Sequence, residues 1–434
     1  MRVLFISGEL IAGDVAYQLV REGCDVKLYI QDKSRRECFD KMVKQTDDWG
    51  KELKWVGKDG IIVFDDTGHG KIADRLRNEG YSVFGGGVKG DKLEKNREEA
   101  QKIFKEYGLT TEESCDFYSS KAAIAHIKKH PSAWVVKQNG HKSSLAYVGQ
   151  MNDGQDAISV LKCYEKYNRE DAINVISLQK RVEGIEMAVG RFFNGKEWVG
   201  PICVNFEHKP FFPGDIGPLT AEMGTLAWYD NDEKQQLFLD TLNRLTPYLR
   251  DIDYRGYADI NCIVSENRAV VLEATMRFGS PLNHLQSEMQ ITPWRDILEA
   301  VAKGRQCEVK YKKGYSLVVS LAVPPFPYTG VSSSYHLHGV DILFKRKLST
   351  EEKNRIHFEE VSLRSKKAGG EYYIAGPNGY VLFVTGTGET VSGAREQAYS
   401  VIKEVVIPKV MYRNDIGVKF ELEQSSLLKK WGWI

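Results

Sequence analysis

The sequence predicts a mixed α/β (α+β) chain: a doubly wound parallel-sheet domain at the N-terminus, a mixed central domain and a β-rich C-terminal domain. Three observations predict it. Residues 2–30 read strand, helix, strand, the βαβ opening of a doubly wound sheet. A second parallel-type strand, Gly60–Phe64, runs into a polar loop and a helix. Beyond Val309 strands dominate (Ser316–Val323, Tyr372–Ile374, Gly379–Thr385), with one clear helix from Ser392 to Val405. A length of 434 residues fits two or three domains, each with a sizeable core.

The balance of 42% hydrophobic and 27% charged residues is that of a soluble globular protein. Lys+Arg 60 against Asp+Glu 59 leaves a net charge of +1, which implies no long-range attraction to nucleic acid or to an anionic membrane. The apolar runs are strand-sized and the start, Met1–Gly8, is no signal peptide, so no membrane association is expected. The Cys count is 7, odd and without a C-x-x-C pair. That argues against a disulfide framework and structural zinc, and for a reducing, cytoplasmic setting.

In chain order, residues 2–7 read as a buried strand. Asp14–Glu22 reads as a helix with Ala16, Leu19 and Val20 inward, and Asp25–Ile30 as the next strand. The turn from Gly8 to Gly13 is not G-x-G-x-x-G, so a dinucleotide fingerprint is absent. Its amides suit a phosphate, or it is a plain strand–helix turn. After Phe64, the loop with Asp65, Asp66 and His69 lies at a strand's carboxyl end, where such sheets bind ligands. His69 either touches substrate or is a solvated turn residue. Ser82–Phe84 and three glycines close the first domain.

Residues 91–107 read as a charged amphipathic helix leading into the second domain. Ala133–Lys137 is a strand ending in a cation, followed by Gly140–Ser144 and a return strand, Ala146–Gly149. A lysine there, beside Ser143 and Ser144, suits α- and β-phosphates. Residues 176–190 alternate apolar positions with Gln179, Arg181, Glu183 and Glu186. Asn194-Gly195 is a type I′ hairpin signal. Residues 207–225 form a polar loop long enough to be functional, and Asp232–Arg250 reads as a helix.

Gly256–Ile263 is a strand expected to run antiparallel to Val270–Thr275, bringing Asp259 or Asn261 beside Glu273. On an extended segment Glu273, Thr275 and Arg277 share a face. A carboxylate and a guanidinium on one face suit ATP, with Mg²⁺ on the first and phosphate on the second. The same pattern also fits a strand ending in a surface ion pair.

Across most of the chain these residues resemble the ATP-grasp superfamily, and within it the phosphoribosylamine–glycine ligases. The resemblance rests on Phe84-Gly85, Leu93-Glu94, Lys137, Glu186, His208-Lys209, Asp215, Gly217-Pro218, Thr220, Met223-Gly224, Leu272-Glu273, Arg277-Phe278-Gly279, Pro281, Gly388–Val391 and Tyr412–Gly417. It implies a substrate domain at 1–98, an ATP-grasp domain at 99–308 with its lid at about 115–185, and a β-rich domain at 309–434.

The implied chemistry is ATP-dependent joining of a carboxylate to an amine through an acyl phosphate, most closely phosphoribosylamine with glycine. ATP would contact Lys137, Ser143, Ser144, Gln179, Arg181 and Glu186; Mg²⁺ (or Mn²⁺) would sit on Glu273, Asp259, Asn261 and Thr275. Arg277, Asp215 and Lys137 would be catalytic. Gly8, Asp14, Asp65, Asp66, His208, Lys209, Pro218, Thr220, Met223, Gly279 and Pro281 would bind substrate, although His208 equally suits a structural imidazole. The partners implied are small molecules, in a monomer or homodimer.

The chain departs from the family pattern at several points. The glycine-rich start is Ser7–Asp14 without its Arg-Glu, and the Pro-Glu after the second strand is Asp65-Asp66. The phosphate hairpin's Gly-Lys-Gly is Ser144-Leu145-Ala146, and the metal-binding asparagine is Thr275. The substrate loop's Asn and Gly-Gly are Leu219 and Ala221-Glu222. These changes leave two alternatives open: the same chemistry on a different amine or amino acid, and a nucleotide-binding protein without ligase activity.

Overall fold

The structure is a computed structural model, and it describes residues 1–138, 147–167, 175–328, 337–364 and 372–434. By internal contacts the chain forms two units: unit 1 is Met1–Asp91, Met187–Ile260 and Thr275–Ile434, and unit 2 is Lys92–Glu186 and Asn261–Ala274.

Unit 1 opens with β1 (Arg2–Ser7), β2 (Asp25–Ile30), β3 (Lys44–Gln45), β4 (Ile61–Phe64) and β5 (Ser82–Phe84), in the order β3-β2-β1-β4-β5. All the pairings are parallel. Leu4, Ile6, Ile62, Phe64 and Val83 are buried with Ala73 and Leu76 of the helix Gly70–Asn78. A parallel strand covered on both faces needs such a continuous apolar run. The chain leaves β1 toward β2 on one side and returns to β4 on the other. The crevice beyond Ser7 and Phe64 is therefore the sheet's switch point.

Unit 2 holds a four-stranded sheet ordered β6-β9-β7-β8, from β6 (Ser114–Phe117), β7 (Trp134–Gln138), β8 (Tyr147–Val148) and β9 (Ile176–Lys180). The helices Ser120–Lys129 and Gln155–Tyr167 bury Ile124, Ile127, Ile158 and Leu161 against Trp134, Val136 and Leu178 of the sheet. The single helix expected over 91–107 is two, Val88–Lys95 and Arg97–Glu106. Asn96 takes extended dihedrals and its side chain accepts from the Glu99 amide, so it caps the second helix and ends the first.

The remaining strands are β10 (Ile185–Asn194), β11 (Trp198–Glu207), β12 (Pro210–Phe212), β13 (Ile216–Leu219), β14 (Gly224–Asp230), β15 (Arg255–Val264), β16 (Ala269–Thr275) and β17 (Tyr315–Ala322). They continue with β18 (Asp341–Phe344), β19 (Ile356–Phe358), β20 (Val361–Leu363), β21 (Tyr372–Ile374), β22 (Tyr380–Gly388) and β23 (Val405–Val406). Unit 1 orders seven of them β15-β10-β11-β14-β17-β22-β19 and four more β20-β21-β18-β23. Past Ile260, β15 runs into unit 2, where its end neighbours β16.

The Asn194-Gly195 turn joins β10 to antiparallel β11, with Gly195 at φ +91° and the Asn194 side chain accepting from the Lys196 and Glu197 amides. Two expectations change. The polar loop at 207–225 contains the hairpin β12–β13, turned through Gly214 and Asp215 at positive φ. The helix expected over Asp232–Arg250 is Gln236–Asp240, a 3₁₀ turn and Thr246–Asp251. Pro247, which has no N–H to give an interior turn, starts the last of these.

Candidate active site

At the switch point of unit 1 the residues after β1 meet those after β4. Ser7 Oγ donates to Asp65 Oδ2 at 2.7 Å, and the Ala12 amide donates to the same oxygen at 3.0 Å. The Leu10 amide donates to Ser7 Oγ at 2.7 Å. Donors of the turn that suited a phosphate thus already hold a carboxylate of the chain itself. Asp65 is fully buried, and its Oδ1 has no hydrogen-bond partner among the described residues. Burial, then the charge of Asp66, pushes its pKa up to about 7.

Arg277 Nε lies 3.4 Å from Asp66 Oδ1. A Cβ on Gly8 would meet Asp66 Oδ2 at 3.2 Å and His69 Nε2 at 3.4 Å, a tight approach that would displace those side chains slightly. His69 stacks on Phe64 with ring centroids 5.2 Å apart. Asp14, expected at the substrate, is wholly buried and faces His357 Nδ1 at 2.8 Å instead.

In unit 2, β7 and β9 are antiparallel with Val135 opposite Gln179 and Lys137 opposite Ser177. Lys137 and Gln179 therefore share a face. Arg181 follows two residues on, its guanidinium donating to Gly149 O at 3.2 Å and Gln150 Oε1 at 3.0 Å. Ser143 and Ser144 lie outside the described residues. Glu273, on β16, is exposed and Glu186, on β10, half-buried.

One residue escapes sequence reasoning. Arg97, the first residue of its helix, donates to Gln179 Oε1 at 2.7 Å. Burial lowers its pKa, and the charge of Glu273 is foremost among those opposing that. A capping Asn followed by a cation is the signal that marks it in the sequence.

Asp259 and Asn261 lie two apart on β15, on one strand face, and both are buried. Asn205 Nδ2 donates to Asp259 Oδ2 at 2.9 Å, while Asp259 Oδ1 has no partner among the described residues. Burial, then Glu207, pushes Asp259 up to about 7. Within unit 2, the exposed Glu273 carboxylate and the buried Asn261 amide are hard oxygen donors, the type that Mg²⁺ takes. Thr275 closes β16 and is half-buried.

The β12–β13 region is tied inward. Arg413, 2% exposed, grips Asp415 through Nε and Nη2 at 2.8 and 2.7 Å and Asp215 through Nη1 at 3.0 Å. Lys419 adds a second cation to Asp215 at 3.0 Å. Partial burial pushes the Asp215 carboxyl up, but Lys419 and Arg413 outweigh it and hold it below its usual range. His208 is buried, accepts from the Gly417 amide at 3.2 Å and is pushed down to about 4 by burial and Arg413. It is a neutral acceptor at pH 7.

Thr220 bonds Lys209 O through both its amide and its hydroxyl, and Lys209 pairs with Glu207 at 3.0 Å. Pro218 lies on β13, and Met223 is buried with its amide on His208 O. Gly279 O accepts the Asn283 side chain at 2.7 Å, and Pro281 precedes the helix Leu282–Met289.

Residues 95–282 match the family model of the phosphoribosylglycinamide synthetase ATP-grasp (A) domain. That segment is thus similar to an ATP-grasp domain. Phosphoribosylamine–glycine ligase of Clostridium acetobutylicum is 23% identical over 356 residues, 80% of this chain and 81% of that one. The enzyme of the same name from Listeria monocytogenes is 24% identical, with 81% of each chain covered. Among solved structures, the Thermotoga maritima phosphoribosylamine–glycine ligase superposes with a TM-score of 0.69 at 20% identity, covering 96% of this chain and 100% of that one. The ATP-grasp family uses ATP with Mg²⁺. No helix among the described residues is long and apolar enough to cross a membrane.

Proposed function

We propose that this chain is an ATP-grasp ligase that joins phosphoribosylamine to glycine, forming glycinamide ribonucleotide with release of ADP and phosphate. The observation that supports the reading is a set of polar and charged groups in unit 2 suited to phosphate. Lys137 and Gln179 share one strand face, Arg97 bonds Gln179, and the Glu273 charge reaches Arg97. Glycine carboxylate is a poor acylating group because its leaving group would be oxide. Transfer of the γ-phosphoryl to a carboxylate oxygen gives an acyl phosphate. The amine nitrogen then attacks the carbonyl, phosphate departs, and the nitrogen loses a proton.

Lys137 and Arg97 hold the phosphates in line, the positioning on which phosphoryl transfer depends. Glu273 and Asn261 would hold Mg²⁺ or Mn²⁺. Bound there, the ion would supply positive charge against the phosphate oxygens. Arg277 stabilises the transferring phosphoryl group. Glu186 accepts from a ribose hydroxyl, and Ser143 and Ser144 belong to the same nucleotide site. Asp215, held by Arg413 and Lys419, fixes the β12–β13 turn beside the amino acid. The substrates are small molecules.

A second reading keeps the chemistry and changes the amine. It is favoured by the Asp65 carboxylate on the Ser7 and Ala12 donors, with Asp66 beside it. A phosphate would meet two carboxylates there.

The test is ADP and phosphate release with ATP, Mg²⁺, glycine and fresh phosphoribosylamine, omitting each in turn. Release that needs all of them, with the amide product seen by mass, supports the first reading. Release only with other amines selects the second. No release with any amine or carboxylate overturns both.

A further inference from the structure

We propose that unit 1 carries a second metal site, separate from the Mg²⁺ donors, in which Asp14, His284 and His357 bind one zinc-type divalent cation. The three come from separate elements: the helix Gly13–Arg21, the helix Leu282–Met289 and β19. They are 0%, 1% and 2% exposed, and one ligand atom from each lies within 4.8 Å of the others. Asp14 Oδ2 stands 2.8 Å from His357 Nδ1 and 3.8 Å from His284 Nδ1. Neighbouring ligands around a tetrahedral zinc with ordinary bond lengths stand ~3.3 Å apart, between those two separations.

The decisive residue is His284. Its ring stacks on Phe383 at 4.1 Å, and neither nitrogen has a hydrogen-bond partner among the described residues. Asp14 Oδ2, at 3.8 Å from Nδ1, is too far for a hydrogen bond, so the Asp14–His357 contact leaves both buried nitrogens of His284 unsatisfied. A cation shared with Asp14 satisfies one of them directly.

The surroundings are those of a ligand set held in place. The Phe358 amide donates to Asp14 Oδ1 at 3.1 Å, and Gln18 Nε2 to Oδ2 at 3.1 Å, which fixes the carboxylate plane. The far nitrogen of His357 meets Thr385 Oγ1 at 3.5 Å, and that hydroxyl lies 3.4 Å from Glu288 Oε2. Metal-binding imidazoles are oriented in this way, through the second ring nitrogen. Two imidazoles and one carboxylate favour zinc over Mg²⁺, which takes oxygen donors. The site needs no cysteine, so the scarcity of Cys pairs does not bear on it. Bound there, the ion would tie the first helix to β19 and to the helix after β16.

The experiment uses the full chain, stripped with chelator, reloaded with Zn²⁺ or Co²⁺ and desalted. Metal content and the visible Co²⁺ spectrum are then read. The expected result is about one equivalent retained, with a Co²⁺ band of low-symmetry N/O coordination, and loss of both in His284→Phe, which keeps a ring on Phe383. If His284→Phe fails to fold, Asp14→Asn is read in the same way. Failure of the wild type to retain either metal overturns the site. So does retention unchanged in a folded variant, which would mark adventitious surface binding only.

Discussion

The two ends of the proposed chemistry are built in opposite ways. In unit 2 the charged groups keep part of their surface in solvent: Lys137 as the fourth residue of β7, Arg97 at a helix start, Glu273 exposed on β16. At the switch point of unit 1 the fully buried Asp65 satisfies the turn that precedes the first helix, with Asp66 and Arg277 half-buried beside it. Polar groups that a ligand is to engage must keep desolvation reversible. Groups that already bond one another are fixed by the fold. The contrast separates the proposed nucleotide end, whose described cations stay partly open to solvent, from the proposed acceptor end, whose turn is closed by its own carboxylate.

The largest effect is expected at the nucleotide end. Glu273→Ala should lower ADP formation by roughly a thousandfold, the scale on which removing a charge-stabilising group acts, with an unchanged far-UV spectrum. A coupled ADP assay reads this. Near-normal turnover in the variant would refute the metal assignment and dissolve the contrast.

Next comes Arg413, which holds Asp215 and Asp415 while only 2% exposed. Arg413→Ala removes the shared cation, leaving Asp215 with Lys419 alone and Asp415 partly solvated, at a cost of about 1–3 kcal/mol. Denaturant unfolding should show that loss, and an Asp215→Asn change in the same background should recover part of it. If Asp215→Asn alone abolishes turnover without changing stability, Asp215 contacts substrate and is not merely a clasp.

Asp65 tests the acceptor end through pH. Its carboxyl is raised from 3.8 to about 7, chiefly by burial and then by Asp66. Between those values the folded chain holds a proton that the unfolded chain has released, so this group makes stability fall as pH rises toward 7. Asp65→Asn should flatten that slope, leaving the variant ~2 kcal/mol less penalised at about pH 8 than at about pH 5, relative to wild type. Parallel stability curves would show that Asp65 ionises normally, and would remove the argument against a phosphate in the turn.

Much of this was legible in the residues themselves. The βαβ start, the Asn194-Gly195 hairpin and the strands carrying Lys137 and Glu273 follow from apolar periodicity and turn chemistry, which are local. The ATP-grasp resemblance was legible from ordered motifs spread along the chain, and the family model matches residues 95–282. Three things were not. The hairpin inside residues 207–225 depends on Arg413, about two hundred residues away in sequence. The meeting of Ser7 with Asp65 depends on which strands pair. The His284–Asp14–His357 cluster draws on both ends of the chain, and no spacing rule connects them.

The smallest effect is expected at Asn96, where local sequence and the nucleotide end meet. Its side chain caps Arg97–Glu106 by accepting from the Glu99 amide at 3.1 Å, and the first residue it positions is Arg97. Asn96→Ala should cost about 1 kcal/mol of stability, the usual worth of such a cap. If Arg97 holds phosphate, the frayed turn should also raise the KM for ATP a few-fold while leaving the KM for the amine unchanged. Asn96→Asp restores the acceptor oxygen and should recover both. A variant that loses the stability but keeps the ATP KM would place Arg97 among the structural groups, and leave Lys137 as the cation that defines the nucleotide end.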